Sequence, residues 1–280
     1  MSVDRSLRSI LSSSALPPNE ARILLAHVLE QHYQLPRSAL LSRDDMLLSS
    51  VAMDAWKALE ARRIEGEPIA YILGKKGFHN IELLVAPGVL IPRPETELLV
   101  DIALAEISNH SGQIKILDLG TGSGAIALAV ASAAPQSSVT ATDQSPDALA
   151  IATLNAQSLS LTEQVQFRQG SWYQALDSQA LFDVILSNPP YITAQDPHLS
   201  QGDLRFEPSS ALTDYGNGLS CLEAIISQAD QYLKPGGLIA VEHGFDQSDA
   251  VVQLMNSAGF NDIEVHLDLS GHTRAVSGRK

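Results

Sequence analysis

The chain has 280 residues, is 45% hydrophobic, carries a formal net charge of −14 at neutral pH and holds one cysteine. That apolar fraction excludes a disordered or fibrous chain. The length predicts one large domain with a smaller companion, since single domains run to roughly 100–200 residues. The lone Cys221 forms no internal disulfide and offers no metal-ligand spacing, which suits a reducing cytosol. No apolar stretch reaches the ~20 residues a membrane span needs. Asp4, with Arg5 and Arg8 in a broken apolar run, argues against a signal peptide.

The charge is unevenly placed. Residues 1–75 hold nine Lys/Arg and nine Asp/Glu, so the whole −14 falls on residues 76–280. A surface of that sign repels phosphate backbones at long range. It favours a neutral or cationic substrate, or one that is part of a basic protein, and speaks against direct nucleic-acid binding.

Up to about Gly74 the pattern is helical. Leu24, Val28 and Gln31-His32 follow one stripe, and Val51, Ala55 and Leu59 another, at spacings of three and four. Asn19 and Ser50 are the expected N-caps. Trp56 and Tyr33 are expected to anchor a core or interface rather than touch a cofactor. In the connector that follows, His79-Asn80 between apolar residues predicts a β-hairpin. Pro87-Gly88 and Pro92-Arg93-Pro94 exclude a continuous helix, and a helix opens after Pro94 with Glu95 and Glu97 at its positive end.

From Ile114 strands and helices alternate. Strands are expected at residues 115–119, 138–143, 165–168, 182–187 and 238–242, with Pro146 as the first residue of one helix and Pro235-Gly236-Gly237 as a turn. A helix at 222–233, another at 249–257 and two late strands at 263–267 and 273–277 complete the chain. Alternating β and α predicts a mostly parallel sheet covered on both faces. The last two strands are joined too closely for a crossover, so they pair antiparallel.

Three groups of residues carry chemistry. Gly120-Thr121-Gly122-Ser123-Gly124 follows a strand and opens a helix, where glycines admit a ligand close to the backbone and the helix N-terminus offers amide hydrogens. Alone it does not separate a nicotinamide site from an S-adenosylmethionine site, and the missing P-loop lysine argues against a nucleoside triphosphate. Asp143 ends the next strand, nineteen residues past Gly124, where a carboxylate accepts hydrogen bonds from ribose hydroxyls. Asp118 either steadies the loop or touches the ligand. Asn188-Pro189-Pro190-Tyr191 sits at the carboxyl end of the fourth strand, where ligands of open α/β sheets collect. Its prolines donate no backbone hydrogen, its carbonyls accept, Asn188 adds a side-chain acceptor, and Tyr191 can cover a planar –NH2 group. Such a clamp serves an amide or an exocyclic amine and has no role in hydride transfer.

The glycine loop, Asp143 and Asn188-Pro189-Pro190-Tyr191 together resemble a class I S-adenosylmethionine-dependent N-methyltransferase. Pro87-Gly88-Val89-Leu90-Ile91-Pro92-Arg93-Pro94-Glu95-Thr96-Glu97 is more specific, with Gly66-Glu67-Pro68-Ile69-Ala70-Tyr71 before it and Asp196-Pro197-His198-Leu199 and Gly202-Asp203-Leu204-Arg205-Phe206-Glu207-Pro208 after it. These segments resemble the peptide chain release factor glutamine methyltransferase family (PrmC/HemK), over essentially the whole chain. The resemblance implies an α/β fold: a seven-stranded Rossmann-like class I methyltransferase sheet with a small N-terminal helical domain. The expected boundaries are 1–72 for the helical domain, 73–92 for a β-hairpin linker and 93–280 for the catalytic domain.

It also implies methyl transfer from S-adenosyl-L-methionine to the side-chain amide nitrogen of the glutamine in the Gly-Gly-Gln motif of class I release factors, in the cytoplasm. Carried over by position, Gly120, Thr121, Gly122, Ser123, Gly124, Asp143, Trp172 and Asn188 hold the cofactor, while Asn188, Pro189, Pro190 and Tyr191 hold the substrate. Without the resemblance, Trp172 fits a core or a cofactor role equally. No metal is expected, and residues 1–72 are expected to dock the release factor. Two other readings stay open: an adenine-N6 methyltransferase, which should carry a basic groove or a target-recognition insertion absent here, and a non-catalytic cofactor-binding protein.

Overall fold

A computed structural model describes residues 5–280, which divide between Gly74 and Lys75 into two compact units. The first holds five helices: α1 (Leu7–Ser13), α2 (Pro18–Tyr33), α3 (Ala39–Ser42), α4 (Ser50–Ile64) and α5 (Ile69–Leu73). Their shared core is built from Leu7, Leu24, Leu25, Val28, Leu29 and Trp56. Two expected caps move by one or two residues. Helix α2 starts at Pro18, before Asn19, because the fixed φ of proline suits the first helical position. Ser49 rather than Ser50 caps α4, its hydroxyl accepting from the Ala52 amide at 3.2 Å. The α4 stripe turns with it: Ala52 and Trp56 are buried, whereas Val51 is 65% exposed. Gln31 and His32 are exposed at the end of α2, so that stripe stops at Leu29. Trp56 lies in the core, and Tyr33 is half-buried with its hydroxyl accepting from the Ser49 amide at 2.7 Å.

The second unit opens with a hairpin, β1 (Lys75–Phe78) and β2 (Ile81–Leu84), turning at His79-Asn80. Phe78, Ile81 and Leu83 bury their side chains in the core of this unit, so the hairpin packs as part of it. After a 3-10 turn at Pro94–Thr96 come α6 (Glu97–Ser108), β3 (Ile114–Leu119), α7 (Ala125–Ala133), β4 (Ser137–Asp143), α8 (Pro146–Ser158), β5 (Val165–Gln169) and β6 (Phe182–Ser187). Then follow α9 (Ser220–Tyr232), β7 (Leu233–Glu242), α10 (Ser248–Ser257), β8 (Asn261–Leu267) and β9 (Thr273–Arg279). The seven-stranded sheet runs β5-β4-β3-β6-β7-β9-β8, with the first five strands parallel and both pairings of β9 antiparallel. Pro235-Gly236-Gly237 lies within β7 as a local irregularity. Leu233 pairs with Phe182 and Leu238 with Val184, so the extra residues bulge out of register.

Helices cover both faces of the sheet centre, and β3, β6 and β7 are correspondingly apolar on both sides. Ile116, Val184, Leu186 and Ala240 face α6 and α7, while Leu117, Ile185, Ile239 and Val241 face α9 and α10. By the same alternation, Asp118 at the end of β3 and Glu242 at the end of β7 belong to the α6–α7 face. Chain order reverses between β3 and β6. That switch point opens the crevice outside the strands' carboxyl ends where the chemistry-bearing residues gather. Among the described residues, no helix is long and apolar enough to cross a membrane.

Candidate active site

The loop after β3 folds back over the end of β4, with the amides of Gly120 and Thr121 both donating to the Thr142 carbonyl at 2.9 and 3.0 Å. Gly120 has φ +74°, and a Cβ there would stand 3.2 Å from the Trp172 ring. Gly124, at φ +87°, would drive a Cβ to 2.8 Å from Leu128. Both positions favour glycine by backbone angle, and a Cβ at either would crowd a neighbouring side chain. Asp118 steadies the loop from beneath. One carboxylate oxygen accepts from the Thr121 hydroxyl at 2.6 Å and the Ala127 amide at 3.2 Å, while the other is buried without a hydrogen-bond partner. Complete burial pushes its pKa up to about 7, against the pull of those two donors.

Asp143 accepts from the Gly122 amide at 2.8 Å and the Ser145 amide at 2.9 Å. A carboxylate can accept at about four lone-pair sites, so capacity remains for a ligand hydroxyl. Burial raises its pKa, and these amides oppose the shift. Capping of α8 falls to Ser145, whose hydroxyl accepts from Ala148, so Asp143 is free of that task. Trp172 follows β5 at φ +49°, and its carbonyl accepts from the Thr142 hydroxyl at 3.0 Å. One part of its ring packs on the core and another faces the cavity.

At the end of β6, the Asn188 side-chain NH2 donates to the Thr96 hydroxyl at 2.9 Å. That leaves its carbonyl oxygen as the acceptor available to the cavity. The Tyr191 hydroxyl donates to Glu242 Oε1 at 3.0 Å, and the Tyr191 carbonyl accepts from Gln247 Nε2 at 3.0 Å. Burial lifts the Tyr191 phenol well above its ordinary range. It also pushes Glu242 up to about 7, opposed by the hydroxyls of Thr96 and Tyr191 and by Arg274.

These groups surround a cavity of about 320 Å³. Gly120, Gly122, Asp143, Trp172, Asn188 and Pro190 line it. Thr121, Ser123, Gly124, Pro189 and Tyr191 stand behind the wall: Thr121 on Asp118, the Ser123 carbonyl on Asn155, Pro189 buried, Tyr191 on Glu242. The rest of the wall comes from Val89 and Leu90 and from Pro208, Ser210, Asp214 and Tyr215. Sequence reasoning missed the second of these groups, which the long excursion after β6 folds back through an Ile192–Thr213 bridge. The Arg93–Glu207 ion pair and the bond from the Ile91 amide to Glu207 Oε2 tie the two groups together. Thr96, quoted within the Pro87–Glu97 segment, had no assigned role, and Glu242 was missed. The one signal for Glu242 was its place at a strand's carboxyl end beside the clamp. Among the described residues, no group of three or more His, Cys, Asp or Glu is placed to hold a metal ion.

A flat aromatic face, an acidic group with spare lone pairs and a backbone that admits close approach together fit a nucleoside. The comparisons agree on the chemistry. A family model described as a methyltransferase domain matches residues 110–267, and one described as the PrmC N-terminal domain matches residues 5–74. The "Release factor glutamine methyltransferase" of Bordetella pertussis is 46% identical over 272 residues, covering 97% of this chain and 98% of that protein. The protein of the same name from Salmonella typhimurium is 45% identical over 269 residues, covering 96% and 94%. A crystallised methyltransferase from Pyrococcus furiosus shares the fold at a TM-score of 0.54 and 17% identity, over 80% of this chain and 98% of that one. With its seven-stranded class I methyltransferase sheet and its helical N-terminal unit, the chain belongs to the release factor glutamine methyltransferase family.

Proposed function

We infer that the chain transfers a methyl group from S-adenosyl-L-methionine to the side-chain amide nitrogen of the glutamine in the Gly-Gly-Gln motif of class I release factors. The observation that carries this reading is the pinned orientation of Asn188, whose NH2 is held by Thr96 so that a carbonyl acceptor remains at the cavity wall. The cofactor supplies an electrophilic methyl group. Asp143 would hold the ribose hydroxyls, Trp172 would offer its ring to the adenine, and the backbone of the glycine loop would admit the rest.

An amide nitrogen is a weak nucleophile because its lone pair is delocalised into the carbonyl. The protein's main contribution is therefore alignment, which supplies ~7–11 kcal/mol in favourable cases. Asn188 Oδ1, at the cavity wall, accepts an amide hydrogen and aims the nitrogen, with Pro189 buried behind it as rigid support. Positive charge grows on that nitrogen during transfer, and the same acceptor stabilises it more strongly than the neutral amide. No dedicated base is needed, since the proton leaves once the nitrogen has become acidic. Tyr191 supports the clamp from behind, through Glu242.

The helical unit, residues 1–72 by sequence, docks the release factor. Leu41, Leu47, Val51 and Ile64 stand exposed on it, at 84, 61, 65 and 58%. Each offers apolar area that a protein partner can bury. Leu41→Asp should raise the KM for a release factor while leaving cofactor affinity unchanged, and an unchanged KM would remove this residue from the interface. The acidic larger unit attracts cationic flanks of the acceptor loop and repels nucleic acid. The reaction belongs in the cytoplasm, where the unpaired Cys221 stays reduced.

Intact-mass analysis of a release factor incubated with the protein and S-adenosylmethionine tests the assignment. The expected product carries one added methyl group, located by fragmentation on the Gly-Gly-Gln glutamine. Methylation of DNA adenine in a parallel reaction, with none on the release factor, would overturn it.

A further inference from the structure

Beyond supporting Tyr191, one buried acid behind the clamp has no direct part in the methyl-transfer chemistry. Glu242 is 1% exposed at the end of β7, accepts from Tyr191 through Oε1, and has an Oε2 that is buried with no hydrogen-bond partner. The Thr96 hydroxyl forms no hydrogen bond to either oxygen but is among the groups that oppose the rise of the Glu242 pKa, and it accepts from the Asn188 NH2. We propose that Glu242 is a positioning residue for the transfer reaction, using the Thr96 hydroxyl to fix which end of the Asn188 amide faces the substrate and the Tyr191 hydroxyl to fix the far end of the clamp. The proposal deepens the functional reading above and rests on it.

Thr96 has one hydroxyl hydrogen to give. An ionised carboxylate beside it draws that hydrogen, so the lone pairs of Oγ1 turn toward Asn188 and are met by its NH2. Asn188 Oδ1 then faces the cavity as an acceptor. A protonated carboxyl, or an apolar group at 242, releases the Thr96 hydrogen toward Asn188. The amide can then rotate half a turn and present NH2 to the substrate's own NH2, donor against donor. Such a reversal leaves Gly120, Asp143 and Trp172 untouched.

The charged and titratable groups facing Glu242 come from each neighbouring element: Tyr191 after β6, Arg274 on β9, Glu95 before α6 and His243 next in the chain. Arg274 favours the ionised acid, Glu95 opposes it, and burial lowers the pKa of His243, keeping it neutral. The burial-raised acid therefore charges as pH rises through about 7.

The test uses the full chain with a release factor and S-adenosylmethionine, and reads kcat, acceptor KM, cofactor Kd and the pH profile. Thr96→Val, which is isosteric, should lower kcat by roughly 10- to 100-fold, the size of effect expected for a misaligned polar group. Cofactor Kd should stay within about twofold, and Thr96→Ser should recover most of the loss. Glu242→Gln keeps an acceptor for Tyr191 but does not ionise, so it should remove the rise of kcat through neutral pH. The double variant should lose no more than the worse single one, because both act on one hydrogen-bond chain.

Wild-type kcat in Thr96→Val, an intact pH limb in Glu242→Gln, or a parallel collapse of cofactor affinity would each overturn the proposal. A wild-type chain that transfers no methyl to a release factor would instead overturn the functional reading, and the proposal with it.

Discussion

Asn155→Ala should destabilise the larger unit more than any other single hydrogen-bonding change outside the clamp. Asn155 is fully buried on α8 and joins three segments at once. Its Oδ1 accepts from the Leu84 amide at 2.7 Å, and its Nδ2 donates to the Leu84 carbonyl at 3.0 Å and the Ser123 carbonyl at 2.9 Å. It thereby fastens the end of the hairpin to the glycine loop. Three neutral bonds at about 0.5–1.5 kcal/mol each give about 1.5–4.5 kcal/mol. Leu84 is 46% exposed, so water can recover part of its share. Near the glycine loop the bond is buried, so there the loss is close to complete.

A net loss of about 3 kcal/mol is expected for Asn155→Ala. With a urea m-value of about 2 kcal/mol/M, the midpoint falls by about 1.5 M. The two compact units can unfold separately, so the probe must be specific to one of them. The chain has two tryptophans, Trp56 in the helical unit and Trp172 in the larger one. Trp172 fluorescence in a Trp56→Phe background therefore reports the relevant transition. Asn155→Leu should lose nearly as much as Asn155→Ala, because filling the volume leaves the same polar partners unmet. Full stability in the leucine variant, or a midpoint shift below about 0.3 M for alanine, would refute the reasoning.

Asn188→Ala should lower kcat roughly 10²–10³-fold, as when one preorganised polar contact is lost. Transfer of labelled methyl to the release factor measures this, and near-normal turnover would refute the role. Gly120→Ala forces a Cβ into the left-handed region at about 1–2 kcal/mol and against the Trp172 ring 3.2 Å away. Calorimetry should show S-adenosylmethionine binding at least about tenfold weaker, since about 1.4 kcal/mol is one decade; unchanged affinity would mean the loop does not hold the cofactor. The pH dependence of stability has a definite sign. Asp118 and Glu242 titrate near 7 in the fold, above their ordinary values, so between those ranges the folded chain holds protons that the unfolded chain releases. Unfolding free energy should therefore fall as pH rises through that window, by a few kcal/mol for the two groups together. Urea midpoints at about pH 5 and about pH 8 test it, and Asp118→Asn and Glu242→Gln should each flatten the slope.

The parallel sheet was legible because glycine and proline punctuate the strands. β3 and β6 are mainly apolar runs, β4 and β5 alternate Val139, Ala141, Val165 and Phe167 with polar residues, and the observed limits lie within one residue of those expected. The glycine loop and Asp143 were legible for the same reason, since their meaning depends on a strand before and a helix after. What was not legible depends on tertiary contact. Glu242 carries no local signature, and Thr96 lies in a segment that carried the resemblance without an assigned role; both acquire one only when the turn before α6 and the end of β7 meet Asn188 and Tyr191. Tyr191 was expected to cover the substrate amide, yet its hydroxyl is committed to Glu242 and its ring packs into the core. Ser49 and Ser50 compete for one cap with equal chemistry, and only the turn of Trp56 into the core selects the first.

Asp118 and Glu242 show where folding and catalysis pull apart. They end the two strands that flank β6, lie on the same face of the sheet, and each buries one oxygen without a partner. A buried carboxylate in that condition lowers stability, and neutral replacements of similar shape are often neutral or stabilising. Each acid nevertheless stands directly behind one half of the cavity, Asp118 under the glycine loop and Glu242 behind the clamp. The polarity of a hydrogen-bond chain depends on which end is an obligate acceptor, and an ionised carboxylate is the side chain that is only an acceptor. A neutral amide can be turned either way. Asp118→Asn and Glu242→Gln should therefore gain stability above neutral pH while losing, respectively, cofactor affinity and the pH-dependent part of kcat. A variant at either position that gained stability and kept full turnover with full cofactor affinity would show that the buried charge has no part in holding the site.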